Sequence, residues 1–282
     1  MRLLAVVTIA FSLFSTVYGF CGSNPGSKEQ VAKYEEEFQA SLKNISTEAK
    51  QASYTVPVRW NIFYDQNNPS DGNYADSVIQ QTISVLNYYY QSNGLSFAVA
   101  SVQRIPIDYR TLHSFQFNTN PERQVKQAYR IGGAETLNIY SVGNNPNYPY
   151  SGWATFPRDY SSDPYNDGIV YIYNYLPGGS ATGYNTGKIM AHEVGHWVGL
   201  YHTFQDGCQS DAYNAGDYVA DTAAESGPAS GCPTGQDSCP FLPGLDPVQN
   251  MMDYSNDACR TGFTPGQYAR MKQQLQYRGI YI

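Results

Sequence analysis

Apolar residues between positions 55 and 200 recur with two different periods, and this pattern predicts strands that alternate with helices. Short runs rich in β-branched and aromatic residues are typical of strands, whereas apolar residues three or four positions apart are typical of helices. Strands separated by helices indicate an open, twisted sheet with parallel members. The predicted strands are Thr55–Tyr64, Leu95–Val102, Leu137–Val142, Gly152–Phe156 and Ile169–Ile172, and the predicted helices are Ala75–Tyr90, Pro121–Arg130 and Thr186–Leu200.

The pattern stops after residue 203, because residues 203–250 are rich in Gly, Asp, Ser and Pro and show little periodicity. An irregular stretch of this length is uncommon in a compact domain. Disulfides can take the place of a missing core in a secreted protein, and four cysteines allow three different pairings. These cysteines lie in or beside the stretch, at Cys208, Cys232, Cys239 and Cys259, and a last helix is predicted over Pro265–Tyr277.

The first twenty residues have the order of a signal peptide. Met1-Arg2 gives a positive start, Leu3–Phe14 is almost wholly apolar, and Gly19 is a small residue at a plausible cleavage point. We therefore expect residues 1–19 to be removed and a secreted, extracellular chain of 282 − 19 = 263 residues. The alternative, an uncleaved membrane anchor, is disfavoured because no stretch approaches the roughly 20 apolar residues that span a bilayer.

Residues 20–52 differ from the chain that follows. Gln30–Ala52 is polar and helix-prone and contains the acidic run Glu35-Glu36-Glu37, so we expect this segment to lie outside the main core of a single domain over residues 53–282. Asn44-Ile45-Ser46 is a glycosylation sequon. The net charge of −7 argues against a nucleic-acid partner, and we expect a monomer.

Three of the four histidines fall within eleven residues, in the run His192-Glu193-Val194-Gly195-His196-Trp197-Val198-Gly199-Leu200-Tyr201-His202. Residues four apart lie one turn apart on the same face of a helix, so His192 and His196 can bind one ion. Gly199 permits the left-handed conformation that ends a helix, after which His202 can return as a third ligand. Three protein ligands leave one position for water, which is typical of catalytic zinc.

A structural zinc site is the alternative, but such sites are commonly closed, four-coordinate and rich in cysteine. Zinc lowers the pKa of water and polarises a carbonyl group, and Glu193 is adjacent to the histidine face, where it can act as the general base. The fourth histidine, His113, belongs to no such group.

The extended histidine motif resembles that of the metzincin metalloproteases, and further motifs resemble the pappalysin family, with secreted fungal extracellular metalloproteases as its most similar branch. The resemblance extends from about Thr55 to the C-terminus. Five motifs carry it: His192–Phe204, Cys232-Pro233-Thr234-Gly235, Asp237-Ser238-Cys239-Pro240, Asn250–Cys259 and Phe263-Thr264-Pro265-Gly266-Gln267. The fourth motif begins with Asn250-Met251-Met252-Asp253-Tyr254.

The resemblance implies roles for several residues. Met252 would form a methionine turn beneath the histidines, although ordinary core packing is the alternative. Tyr254 would stabilise the oxyanion, with a buried structural tyrosine as the alternative. Gly152–Phe156 would be an antiparallel edge strand along which an extended protein or peptide substrate binds. The implied disulfides are Cys208–Cys239 and Cys232–Cys259.

Two further candidate metal-binding features, Cys21 and a group of aspartates, each have an ordinary alternative. Cys21 lies after the cleavage point in a Cys-Gly element similar to that of some pappalysin N-terminal segments. This resemblance implies that residues 20–52 are a pro-segment whose Cys21 thiolate binds the zinc. A free or intermolecular thiol is the alternative. Calcium is a second possible cofactor, with solvated loop aspartates as the alternative; its candidate ligands are Asp206, Asp211, Asp217 and Asp221.

We therefore expect an α+β, metzincin-like fold, in which a five-stranded mixed sheet and the active-site helix precede an irregular, disulfide-bonded C-terminal subdomain. The expected function is that of a secreted zinc endopeptidase, with residues 53–282 as its catalytic domain. The alternative is a catalytically silent, zinc-stabilised binding protein on the same scaffold. The presence of Glu193 beside three intact ligands argues against that alternative, since a binding protein needs no general base.

Overall fold

The computed structural model describes residues 21–42, 52–109, 119–143, 150–211 and 216–282. The predicted signal peptide, the sequon at Asn44 and the residue His113 lie outside these ranges, so those predictions remain predictions. Within the described ranges, no helix combines the length and the apolar character that crossing a membrane requires.

Five strands form one sheet, which confirms the predicted number and places. They are β1 (Tyr54–Asp65), β2 (Leu95–Ile107), β3 (Leu137–Val142), β4 (Gly152–Ala154) and β5 (Ile169–Ile172). Their spatial order is β2–β1–β3–β5–β4. The first three neighbouring pairs in this order are parallel, and β4 pairs antiparallel with β5. The sheet is therefore mixed, and β4 forms one edge.

The described helices lie close to their predicted positions, with differences at their ends. They are α1 (Lys28–Leu42), α2 (Asp76–Tyr90), α3 (Asn120–Tyr129), α4 (Lys188–Trp197) and α5 (Pro265–Gln274). α4 is shorter than the predicted Thr186–Leu200, and α5 continues as a 3₁₀ turn over Leu275–Arg278. The α5 N-terminus is fixed by a capping box, in which Thr264 and Gln267 exchange hydrogen bonds.

Apolar side chains cover both faces of the sheet, as parallel strands require. On one face, α2 and α4 share with the sheet a core that includes Trp60, Leu86 and Trp197. On the other face, a smaller cluster includes Tyr140 and Trp153 and contacts α3. This packing holds α4 against the sheet beside the edge strand β4.

The strand β4 ends two residues earlier than predicted. The Thr155 hydroxyl bonds the Asp167 carboxylate at 2.9 Å and accepts from Gly168 N at 3.0 Å, which turns the chain out of the ladder. Phe156 then begins a 3₁₀ turn over Pro157–Ser161. Only the first three residues of the predicted strand therefore offer an edge.

The N-terminal segment packs on the rest of the domain through its own small apolar cluster. Val31 of α1 lies with Phe156 and Tyr201, apart from the main core. The segment therefore lies outside the main core, as expected, yet it is not a solvated appendage.

Candidate metal centre

The active-site helix α4 is buried from Ile189 to Trp197. His192 and His196 lie one turn apart on it, and their Nε2 atoms are 3.2 Å apart. Glu193, the next residue after His192, has no measurable exposure. The helical period thus places the two imidazoles one turn apart, with one carboxylate beside them.

A left-handed turn after α4 brings in the third imidazole. Gly199 has φ of +100°, a conformation that favours glycine, and Gly199 N donates to the His196 carbonyl oxygen at 2.9 Å. The chain then reverses, and His202 Nε2 comes to 3.1 Å from His196 Nε2. The predicted return of His202 to the two helical histidines is therefore what the structure shows.

The protonation of these rings leaves their converging nitrogens free to bind a cation. His192 Nδ1 lies 2.8 Å from the Met251 carbonyl oxygen, and His196 Nδ1 lies 2.8 Å from that of Leu200. Because a carbonyl oxygen can only accept, each Nδ1 carries the proton and each Nε2 offers a lone pair. Nitrogens about 3.2 Å apart fit a tetrahedral ion at the usual zinc–nitrogen distance of about 2.0–2.1 Å.

Burial keeps the three rings neutral. Desolvation lowers the pKa of His196 to about 4, and it lowers the pKa values of His192 and His202 well below their ordinary value. Neutral imidazole is the form that binds a metal. The donor set, the spacing and the protonation state therefore all fit zinc.

Cys21 reaches the same point from the N-terminal segment. Its Sγ and the three imidazole nitrogens all lie within 4.8 Å of one another, and this is the one such cluster of three or more His, Cys, Asp or Glu in the described ranges. Cys21 Sγ lies 3.4 Å from Glu193 Oε2. Burial, and then the adjacent Glu193 carboxylate, raise the pKa of this thiol well above its ordinary value.

Ser23 is a site residue that the sequence reasoning missed. Its hydroxyl donates to Glu193 Oε2 at 3.2 Å and accepts from Ala154 N of the edge strand at 2.8 Å. Burial raises the pKa of Glu193 to about 8, against these hydrogen bonds from Cys21 and Ser23. The signal for Ser23 was its position two residues after Cys21, where an extended chain places side chains on the same side.

The turn after residue 250 brings Tyr254 to the histidines and Met252 to the helix that carries two of them. The Tyr254 hydroxyl lies 3.2 Å from His202 Nε2 and donates to the Cys21 carbonyl oxygen at 3.2 Å. Met252 is fully buried below α4, where its Sδ lies 2.4 Å from the point that a Cβ on Gly195 would occupy. Glycine at position 195 thus allows the turn to approach the helix.

The irregular segment is closed by the disulfides Cys208–Cys239 and Cys232–Cys259, the pairing that the resemblance implied. Two of its candidate calcium ligands make hydrogen bonds to different groups. Asp217 accepts from Thr222 Oγ1 at 2.6 Å, and Asp221 accepts from Thr264 Oγ1 at 2.6 Å at the start of α5. Glu225, which the sequence reasoning did not select, is fully buried and accepts from Thr203 Oγ1 at 2.5 Å.

The helix carries two histidines and a glutamate, a glycine turn leads to a third histidine, and a methionine lies beneath the helix. Together these features define a metalloprotease of the metzincin class. Residues 135–276 match the profile of the peptidase M43 family, described as pregnancy-associated plasma protein-A. The chain belongs to this family, the pappalysins, and is a metalloprotease.

Curated relatives resemble nearly the whole chain. It is 39% identical over 264 residues to an extracellular metalloprotease of Sordaria macrospora, covering 92% of this chain and 88% of that protein. It is 38% identical, with the same coverage, to an extracellular metalloprotease of Neurospora crassa. The predicted family is therefore confirmed.

Solved structures confirm the predicted fold. Mature mirolysin of Tannerella forsythia, in complex with a cleaved peptide, is 25% identical with a TM-score of 0.65, covering 82% of this chain and 99% of that one. A promirolysin mutant is 22% identical with a TM-score of 0.69, covering 94% of this chain and 100% of that one. The second likeness concerns the fold alone.

Proposed function

We propose that the protein is a secreted zinc endopeptidase in which His192, His196 and His202 hold the metal and Glu193 is the general base. The observation that carries the proposal is the convergence of three imidazole Nε2 atoms beside a buried carboxylate. The names of the relatives, which are extracellular metalloproteases, support both the activity and the secretion.

Bound zinc supplies a Lewis acid that polarises the scissile carbonyl and acidifies water. Glu193 Oε2 accepts the proton from the attacking water and donates it to the departing amine. Its carboxylate is buried directly beside the histidine cluster, where it can both take and return that proton. The Tyr254 hydroxyl, beside His202, donates a hydrogen bond to the oxyanion.

The substrate binds along β4, where the N-terminal segment lies in the structure. Cys21 forms a parallel bridge with Gly152, and Gly22 N donates to the Gly152 carbonyl oxygen at 2.9 Å. The edge of β4 therefore accepts an extended chain, and a protein or peptide substrate would take the same main-chain hydrogen bonds after the segment leaves.

The substitution Glu193→Gln tests the proposed chemistry. It keeps the shape of the side chain but removes the base, so we expect hydrolysis of a peptide library to fall about 10²- to 10⁴-fold while one zinc per chain remains bound. Glu135→Gln, at a half-buried glutamate before β3, is the matched control and should keep full activity.

Full activity in Glu193→Gln would contradict the assignment. A wild-type chain freed of residues 20–52 that binds zinc and cleaves no peptide, with or without chelator, would instead support the alternative of a silent binding protein.

Residues 20–52 are proposed as a pro-segment that follows a signal peptide over residues 1–19 and precedes the catalytic domain over residues 53–282. Cys21 would occupy the fourth metal position and keep the enzyme latent, since its Sγ already lies within the histidine cluster. We expect unprocessed Cys21→Ser to hydrolyse peptides faster than unprocessed wild type. Intact mass must show that the segment is still attached, and equal activity of the two proteins would exclude latency through Cys21.

Glycosylation at Asn44, a monomeric state and calcium binding remain predictions. The calcium prediction has the weakest support, because the carboxylates of Asp217 and Asp221 bond separate groups. Titration calorimetry with calcium on chelator-treated protein would test it, and a lack of binding would leave zinc as the sole proposed metal.

A further inference from the structure

The helix α1 buries an acidic residue between two apolar ones. Val31, Glu35 and Phe38 are the buried residues of this helix, at the i, i+4, i+7 spacing of one face. The neighbouring Glu36 is exposed. An isolated carboxylate is costly to remove from water, so the burial of Glu35 requires a dedicated partner on the catalytic domain.

That partner is Arg270 of α5. Its Nη1 and Nη2 donate to the two carboxylate oxygens of Glu35 at 2.9 and 2.6 Å, and the Tyr201 hydroxyl donates to Glu35 Oε1 at 2.9 Å. Both charged side chains are about 6% exposed or less. Although burial by itself would raise the pKa of Glu35, the bond with Arg270 lowers it below its ordinary value.

A second cation borders the same pocket. Arg158 bonds the Tyr201 hydroxyl, and its Nη2 donates to the Pro25 carbonyl oxygen at 2.8 Å. Its guanidinium also lies 4.4 Å from the centre of the Tyr34 ring. Arg158 thus contacts Pro25 and Tyr34 of the N-terminal segment as well as Tyr201, and these contacts do not involve Cys21.

We propose that Arg270, Tyr201 and Arg158 form a docking site that recognises the buried carboxylate of α1 and holds residues 21–42 on the catalytic domain independently of Cys21. Cys21 and Glu35 are then two separate anchors of one segment. Once either anchor is bound, binding of the other is intramolecular, so the segment stays bound after a cut within residues 43–51. The inference deepens the proposed role of residues 20–52 as a pro-segment and rests on it.

Glu35 is the residue to vary, because Arg270 has a second function. Arg270 Nε donates to the Gly199 carbonyl oxygen at 3.0 Å, in the turn that brings His202 to the metal site. A change at Arg270 would therefore disturb both places. Glu35→Gln removes only the charge that faces Arg270, and Glu36→Gln removes the same charge from the solvent-facing side of the same helix.

The test uses the full chain from residue 20, with a specific protease site placed within residues 43–51 and Cys21→Ser as the background. After the cut, size-exclusion chromatography and native mass spectrometry report whether the segment remains bound. We expect retention in the background protein and with Glu36→Gln. With Glu35→Gln we expect the dissociation constant to rise about 30-fold or more, as for one member of a buried charge pair.

Equal retention of the Glu35→Gln and Glu36→Gln segments would overturn the proposal, as would complete release from the Cys21→Ser background. If uncut Glu35→Gln does not fold, synthetic peptides of residues 21–42 can compete for the cut background protein. The unchanged peptide and the Glu36→Gln peptide should then displace the bound segment, and the Glu35→Gln peptide should not. The readout is binding, so a failure of the proposed hydrolysis would be seen separately, in the peptide assay.

Discussion

Gly195 lies between the two helical histidines and neither binds a metal nor moves a proton, so its substitution tests how tightly the methionine turn supports the site. A Cβ at this position would lie 2.4 Å from Met252 Sδ and 3.1 Å from Met252 Cε. Ordinary contact requires roughly 1 Å more, and Met252 has no exposed surface into which it can move.

We therefore expect Gly195→Ala to destabilise the protein by about 1–3 kcal/mol, the usual cost of overpacking a core. For a domain of this size, that corresponds to a fall of about 3–10 °C in the unfolding temperature. Zinc affinity should fall as well, because the displaced turn carries the Met251 carbonyl oxygen that orients His192. Thermal unfolding and zinc titration of the same samples measure both effects.

Gly227→Ala is the matched control, since a Cβ there would meet no heavy atom within 4 Å, and its unfolding temperature should stay close to that of wild type. Combining Gly195→Ala with Met252→Val should cost less than the sum of the two changes, because the shorter side chain removes the clash. If Gly195→Ala unfolds at the wild-type temperature and binds zinc as tightly, the close approach of the turn to α4 is not a constraint on this site.

Three other predictions concern the metal and buried charges. Chelation should abolish hydrolysis and lower the unfolding temperature, and added zinc should restore both; activity that survives complete zinc removal would contradict a metal role. Burial raises the pKa of Glu225 to about 8, so the folded state holds its proton more tightly than the unfolded chain and wild-type stability falls as pH rises from about 4.5 to 8. The free energy of unfolding of Glu225→Gln, relative to that of wild type, should therefore be a few kcal/mol more favourable at pH 8 than at pH 5. A difference between the two proteins in urea unfolding that does not change with pH would refute this. Glu122 bonds both Lys126 Nζ and Trp153 Nε1 at 2.7 Å. Glu122→Gln should therefore lower the stability by about 3–5 kcal/mol, and the double variant with Lys126→Met should recover most of that loss. An unchanged urea midpoint in the single variant would show that the pair is not needed for stability.

The N-terminal segment shows where reasoning from sequence fell short. The acidic run Glu35-Glu36-Glu37 predicts a segment outside the main core and does not predict which of its residues is buried, but Glu35 is buried and the other two are exposed. Its spacing from Val31 and Phe38 was a usable signal, since all three lie on one face of a helix. The partner could not be inferred, because Arg270 is 235 residues away and nothing local distinguishes it.

The helix, the glycine turn and the spacing of His192, His196 and His202 could be predicted because both relations are local. One helical turn fixes the distance between His192 and His196, and the left-handed turn at Gly199 brings His202 back within three residues. The five strands and the fold class followed in the same way, from local periodicity and motif resemblance. The positions of Cys21 and Tyr254 beside that cluster arise from contacts between parts of the chain that are far apart, such as the 172 residues between Cys21 and Glu193. Packing of α4 against the sheet, and of the segment against β4, decided those contacts, since no local backbone geometry relates residues so distant in sequence.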